Sequence, residues 1–207
     1  MEQLLVKPPD ARALLVLAHG AGAGMRHAFL ERIAQALAAG NVATFRYEFP
    51  YMEKHERRPD LPAVAAARVR EAVAAAAERA PGLPLFAGGK SFGGRMTSTA
   101  AAEAPLPGVQ GLVFLGFPLH PPGRPGTSRA EHLDRVTVPM LFLQGTRDQF
   151  AQLPLLEPVI ERLRPRATLH LIDGGDHSFK VPKSTGRTAE DVMNDLADTI
   201  AGWTSGV

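Results

Sequence analysis

Short apolar runs recur along this chain, and most are separated by stretches of helical periodicity. That alternation predicts a parallel sheet covered by helices on both faces. The first run, Ala13–Ala18, is continuously apolar, the pattern of a strand buried on both sides. Phe29, Leu30, Ile33, Ala34 and Leu37 then fall at helical spacing, and Gly40 ends that helix. Val42–Tyr47 reads as the next core strand. A polar loop leads to an Ala-rich helix from Pro62 to about Ala80. Residues 83–87 form a third strand, and a small-residue helix follows Ser91 and stops before Pro105. Further strands are expected at 111–115, 139–143 and Ala167–Ile172. A helix is expected over 154–163, and a last one carries Val192, Met193, Leu196, Ile200 and Trp203 on one face. The Pro- and Gly-rich stretch 117–128 reads as a loop. The chain has 207 residues, 45% hydrophobic and 21% charged. With no internal repeat and no linker, it reads as one domain over residues 1–207.

Composition excludes several chemistries. There is no cysteine, hence no disulfide, thiolate metal site or cysteine nucleophile. No H-x-x-x-H or H-x-H spacing marks a metal site, and no metal or other cofactor is expected. A formal net charge of +2 is too even for a nucleic-acid or anionic-membrane partner. The tightest basic cluster, Lys54 to Arg58, is interleaved with glutamates and reads as a solvated loop. No apolar stretch suits a signal peptide or a membrane span, so a cytoplasmic protein is expected. The state expected is monomer or homodimer.

Gly89-Lys90-Ser91-Phe92-Gly93 fits G-x-S-x-G where a predicted strand turns into a predicted helix. A serine on so tight a turn needs small neighbours, and Gly88, Gly89, Gly93 and Gly94 supply them. The hydroxyl also needs a base. Ligands of open parallel sheets bind beyond the carboxyl ends of strands. That rule favours His177, in the loop after the strand ending at Ile172. His170 lies within a strand and reads as a packed or edge residue. His27, His55 and His132 read as surface residues, while His19 shapes the glycine loop and His120 is a candidate for the pocket. Asp148 follows the strand at 139–143 and is the expected partner of the imidazole. Asp173 and Asp176 rank lower because they adjoin His177, and neighbouring side chains diverge.

His19-Gly20-Ala21-Gly22-Ala23-Gly24 follows the first strand. Its backbone predicts half of an oxyanion hole. The expected donors are the N–H groups of Ala21 and Phe92, with Gly22 as the alternate for the first. A dinucleotide fingerprint starting at Gly20 would need glycine where Met25 stands. A phosphate-binding loop ending at Gly89-Lys90-Ser91 would need glycine where Pro84 stands. Phe49, Tyr51 and Met52 from one loop, with Phe117, Leu119 and His120 from another, are expected to frame the acyl pocket.

The segments HGAGAGM, FRYEFPYM, GGKSFGGRM, GFPLHPPG, GTRD and GDHSF occur in that order. Together they resemble a small α/β-hydrolase family related to dienelactone hydrolases. Its eukaryotic relatives include a subunit of the NSL histone-acetyltransferase complex and a testis-expressed protein. The resemblance implies the α/β-hydrolase fold, with about six to seven mostly parallel strands, and places Ser91, Asp148 and His177 in the triad positions. Their chain order is also that of α/β-hydrolases. No insertion is long enough for a cap domain, and residues 4–6 read as a remnant of the usual N-terminal strands. Dienelactone hydrolases proper use cysteine, which this chain lacks. The expected activity is serine hydrolysis of a small ester or other activated acyl substrate. The alternative is an inactive interaction module that keeps the fold.

Overall fold

The computed structural model describes residues 1–121 and 123–207. Pro122, within the expected loop 117–128, lies outside the described residues. Seven strands form one sheet: β1 (Gln3–Val6), β2 (Ala13–Ala18), β3 (Val42–Tyr47), β4 (Leu85–Lys90), β5 (Val109–Leu115), β6 (Met140–Gly145) and β7 (Ala167–Ile172). Their spatial order is β1-β3-β2-β4-β5-β6-β7. Among the described residues only β1 is antiparallel, pairing Gln3 with Tyr47 and Val6 with Thr44 at the edge of β3. The helices are α1 (Ala28–Ala39), α2 (Pro50–Glu53), α3 (Pro62–Arg79), α4 (Phe92–Glu103), α5 (Leu153–Arg162) and α6 (Ala189–Thr204).

The central strands are buried on both faces because their side chains alternate between two cores. From β2, Leu14, Val16 and Ala18 enter the layer formed with α3, α4 and α5. Ala13, Leu15 and Leu17 enter the opposite layer, with Leu30, Ile33 and Leu37 of α1 and Leu196 and Ile200 of α6. Period-two alternation therefore feeds both faces of an open sheet. Burying each of these leucines fully contributes roughly 2 kcal/mol against the entropy of ordering the chain.

The main departures from the sequence reading lie at the strand ends. β4 runs on through Gly88 and Gly89 to Lys90, because neighbours on both sides supply ladder partners that local propensity cannot register. The connection between β5 and β6 contains a 3₁₀ helix at Ser128–Arg135. Its Ala130 and Leu133 join the core beside α4, so this connection is drawn into the α3–α5 layer. The short α2 occupies part of what reads as a polar loop, with Pro50 in its first turn. Among the described residues, no helix is long and apolar enough to cross a membrane.

Candidate active site

Strand β4 delivers Ser91 to the sheet's carboxyl edge, and α4 begins at the next residue. Ser91 has φ 50° and ψ −112°, a left-handed-side conformation that costs a non-glycine residue roughly 1–3 kcal/mol. Neighbouring contacts hold it there. Its N–H donates to Leu115 O at 3.1 Å. The turn also presses against β2: a Cβ on Gly89 would lie 2.5 Å from Ala18 O, and one on Gly93 2.6 Å from His19 O. Glycine at these two positions is a packing requirement, since backbone oxygen cannot yield to a methyl group.

His177 lies in the turn after β7, a turn tied across itself. Asp176 N–H donates to Lys180 O at 3.0 Å. Asp176 Oδ1 accepts from the N–H groups of Ser178 and Lys180 at 2.8 and 2.9 Å. Asp176 thus shapes the loop that carries the imidazole. The imidazole faces two ways: Nε2 is 2.8 Å from Ser91 Oγ, and Nδ1 is 2.7 Å from Asp148 Oδ2. The Phe150 ring covers it, with centroids 4.3 Å apart.

Asp148 lies in the turn after β6 and is 2% exposed. Its Oδ1 accepts from Phe150 N–H at 2.8 Å, and its Oδ2 accepts from Gln144 Nε2 as well as from His177. A carboxylate satisfied by three donors keeps its orientation in a buried setting. Arg147 N–H donates to Gly175 O at 2.8 Å, which joins the Asp148 turn to the His177 turn.

Lys90 sits beneath this group. Its ammonium donates to His177 O at 2.6 Å and lies 5.5 Å from the centroid of the Phe179 ring. Burial pulls its pKa down to about 8, although Asp148 and Asp176 favour the charged form. Gly116, at φ +69°, makes room here: a Cβ would lie 3.0 Å from Lys90 Nζ and 3.5 Å from His177 Nδ1.

The loop after β2 reaches Ser91 from the other side, where a Cβ on Gly20 would lie 3.9 Å from Ser91 Cβ. Among the described residues, the N–H groups of Ala21 and Phe92 donate to no protein acceptor. Gly22 differs, because its N–H donates to Tyr51 Oη at 2.7 Å and is already occupied. His19, fully buried, steadies the loop: its Nδ1 is 2.7 Å from Gly20 O, and its Nε2 is 3.2 Å from Phe49 N. Glu48 Oε1 accepts from Met25 N–H at 2.9 Å.

The cavity beside Ser91 and His177 is not where the loop argument puts it. It has a volume of about 920 Å³ and lies between α1, α6 and the His177 turn, walled by Phe29, Phe179, Val192 and Met193. None of Phe49, Tyr51, Met52, Phe117, Leu119 and His120 lines it. Phe49 packs edge-on against Phe92, and Phe117 against Phe114 and Phe142, so these aromatics fill the α3–α5 core. Leu119 belongs to the same core, His120 is 2% exposed, and Met52 packs against that core's edge. Apolar loop residues near a sheet edge were drawn inward, and α1 and α6 were left to form the walls. Phe150, Lys90, Phe179 and Gln144 were not singled out for the site in the sequence. Only Lys90, a charge inside the glycine turn, carried a local signal.

The other histidines divide by environment. His170 pairs with Asp195 at 2.8 Å, and His27 caps α1 at the cavity rim. His132 is not a free surface group: its Nε2 is 2.7 Å from Ser98 Oγ. Burial, with Arg95 and Arg135 nearby, lowers its pKa to about 4. Among the described residues, no group of three or more His, Asp or Glu side chains is placed to hold a metal ion.

Comparison with known proteins agrees with this architecture. The profile of a family described as an alpha/beta hydrolase domain matches residues 11–205. The chain is similar to a dienelactone hydrolase from Anabaena variabilis, with 22% identity, a TM-score of 0.75, and coverage of 99% of this chain and 90% of that one. It is also similar to a lidless α/β serine hydrolase from Xanthomonas campestris, with 20% identity, a TM-score of 0.74, and coverage of 97% and 88%. Two Mycobacterium tuberculosis proteins named as putative phosphoribosyl transferases are each 26% identical over 203 residues. The match covers 96% of this chain and 44% of each of those, so the chain spans less than half the length of these relatives.

Proposed function

We propose that this chain, which belongs to the alpha/beta hydrolase domain family, is a serine hydrolase acting on an ester or other activated acyl compound. One observation carries the reading: the unbroken relay from Ser91 Oγ through His177 to Asp148, with steps of 2.8 and 2.7 Å. In this reading His177 Nε2 takes the Ser91 proton as Oγ attacks the acyl carbon. Asp148 holds the Nδ1–H tautomer and stabilises the imidazolium that forms. The N–H groups of Ala21 and Phe92 stabilise the tetrahedral oxyanion from the backbone. The imidazolium then gives its proton to the leaving oxygen as the bond to the acyl carbon breaks. Water, deprotonated by His177, attacks the acyl-enzyme; the acid leaves and the Ser91 hydroxyl is restored.

Two arms of one experiment test this. A fluorophosphonate probe should label the wild-type protein covalently and leave Ser91→Ala unlabelled. Ser91→Ala should also lose ~10⁴-fold or more of the turnover of a 4-nitrophenyl ester. A folded wild-type protein that neither takes the label nor turns over the ester would make the chain a non-catalytic member of its fold.

A further inference from the structure

The cavity beside Ser91 has a one-sided charge. Arg32, Lys90, Lys180 and Arg187 line it together with two histidines, and no aspartate or glutamate does. Each guanidinium near an apolar wall needs solvent or an anion, and a neutral acyl chain supplies no anion.

The two guanidinium groups and the apolar walls also follow an order. His177 marks the end where chemistry is proposed. Two residues on, Phe179 stacks against Phe29 of α1, with centroids 5.8 Å apart and planes 16° from parallel. Arg32 is three residues, about one helical turn or ~5 Å, beyond Phe29 on the same face of α1. There its guanidinium donates to Ala189 O at the start of α6, at 3.2 Å. Arg187, two residues before Ala189, also lines the cavity and donates to Asp195 Oδ2 at 2.7 Å. Val192 and Met193 wall the opposite side from the first turns of α6. The path from the nucleophile therefore crosses an aromatic and aliphatic stretch before it meets guanidinium groups.

We infer that the cleft selects acyl groups with an apolar spacer and a terminal carboxylate, the spacer against Phe29 and Phe179 and the carboxylate at Arg32 and Arg187. This rests on the serine-hydrolase reading and assigns the substrate class of the same site. Guanidinium suits the role because its planar fork matches a carboxylate with two parallel hydrogen bonds. Arg32 supplies the more available charge: it is exposed, its hydrogen bond goes to a neutral carbonyl, and Arg187 already shares its charge with Asp195.

The test compares two 4-nitrophenyl esters of matched length, one of adipic acid with its far carboxylate free and one of hexanoic acid. At low ionic strength the wild-type kcat/KM should favour the adipate ester about fivefold, mostly through KM, as expected of partly exposed ion pairs. Added salt should shrink the ratio. Arg32→Gln should bring it toward one, and Arg187→Gln should lower it; the exposed Arg32 variant stands alone if loss of the Asp195 pair unfolds the other. A wild-type ratio at or below one, or a ratio unmoved by Arg32→Gln, overturns the inference while leaving the hydrolase reading intact. If neither ester is turned over, calorimetry with Ser91→Ala and adipate monomethyl ester decides separately. Binding lost in the double variant Ser91→Ala, Arg32→Gln upholds the carboxylate site, and its absence in the single variant ends it.

Discussion

The Lys90 ammonium donates to the backbone carbonyl of His177 at 2.6 Å, so the residue before the proposed nucleophile anchors the residue that faces it. Because Lys90 is buried and its pKa falls to about 8, the link leaves a pH signature. Below pH 8 both folded and unfolded chains carry the proton, and the folded chain bears the cost of a buried charge. Between pH 8 and 10.5 the unfolded chain still holds the proton that the folded chain has lost, so folded stability rises with pH there. Urea unfolding of wild type and Lys90→Met at pH 7 and pH 10 should show the difference moving toward wild type by about 2 kcal/mol. A difference constant over that window would place the lysine in water. Turnover at pH 7 should fall about tenfold in the variant, as the His177 turn loses its tether.

Asp148→Asn should be folded and nearly inert. Phe150 N–H needs an acceptor at one side-chain oxygen, and Gln144 with His177 needs one at the other. An amide offers one acceptor and one donor group, so one position loses its match and the imidazolium loses its counter-charge. The expected fall in kcat is ~10³–10⁴-fold, with an unfolding midpoint that stays cooperative. Retention of more than a tenth of wild-type kcat would remove Asp148 from the relay.

The fold was legible because burial on two faces writes itself into sequence as continuous apolar runs, and β2 and residues 140–143 of β6 are such runs. β4 was legible only in part, since Gly88 and Gly89 have low strand propensity and owe their pairing to β2 and β5. The meeting of Ser91, Asp148 and His177 side chains was legible because each follows the carboxyl end of a strand at the same sheet edge, a topological fact that order along the chain preserves. The cavity was not. Its walls come from Phe29, Val192 and Met193, whose spacing in helices α1 and α6 says apolar face and nothing about what the face adjoins. Nor could His132 be told from a solvated residue, as the 3₁₀ helix that buries it beside Ser98 has no strong local signature.

That buried His132 should make the protein sensitive to acid. Its pKa is lowered from the ordinary histidine value to about 4, first by burial and then by Arg95 and Arg135. As pH falls from 6.5 to 4, the unfolded chain takes up a proton that the folded chain refuses, so stability is lost through that window. His132→Gln offers an amide to Ser98 without titrating. Thermal unfolding midpoints at pH 7 and pH 5 should show a smaller acid-induced drop for the variant than for wild type. Equal drops would mean that His132 binds its proton with the fold intact.

Tyr51 joins the α3–α5 core to the loop that carries Ala21. Its hydroxyl accepts from Gly22 N–H at 2.7 Å, and its ring lies 6.4 Å, edge to face, from that of Phe92. One side chain therefore touches both segments that present the proposed oxyanion donors. In Tyr51→Phe the ring packing survives and the Gly22 N–H loses its acceptor, a cost of about 1–3 kcal/mol if no water replaces it. The loop can relieve that cost by turning, which would shift Ala21 N–H relative to Ser91. Because such donors act on charge that develops only in the transition state, the loss belongs in kcat. Steady-state kinetics on a neutral 4-nitrophenyl ester should show kcat reduced about tenfold with KM changed by less than about twofold. A variant altered in KM alone would show that Tyr51 bears on substrate binding and that the Ala21 loop holds its place without it.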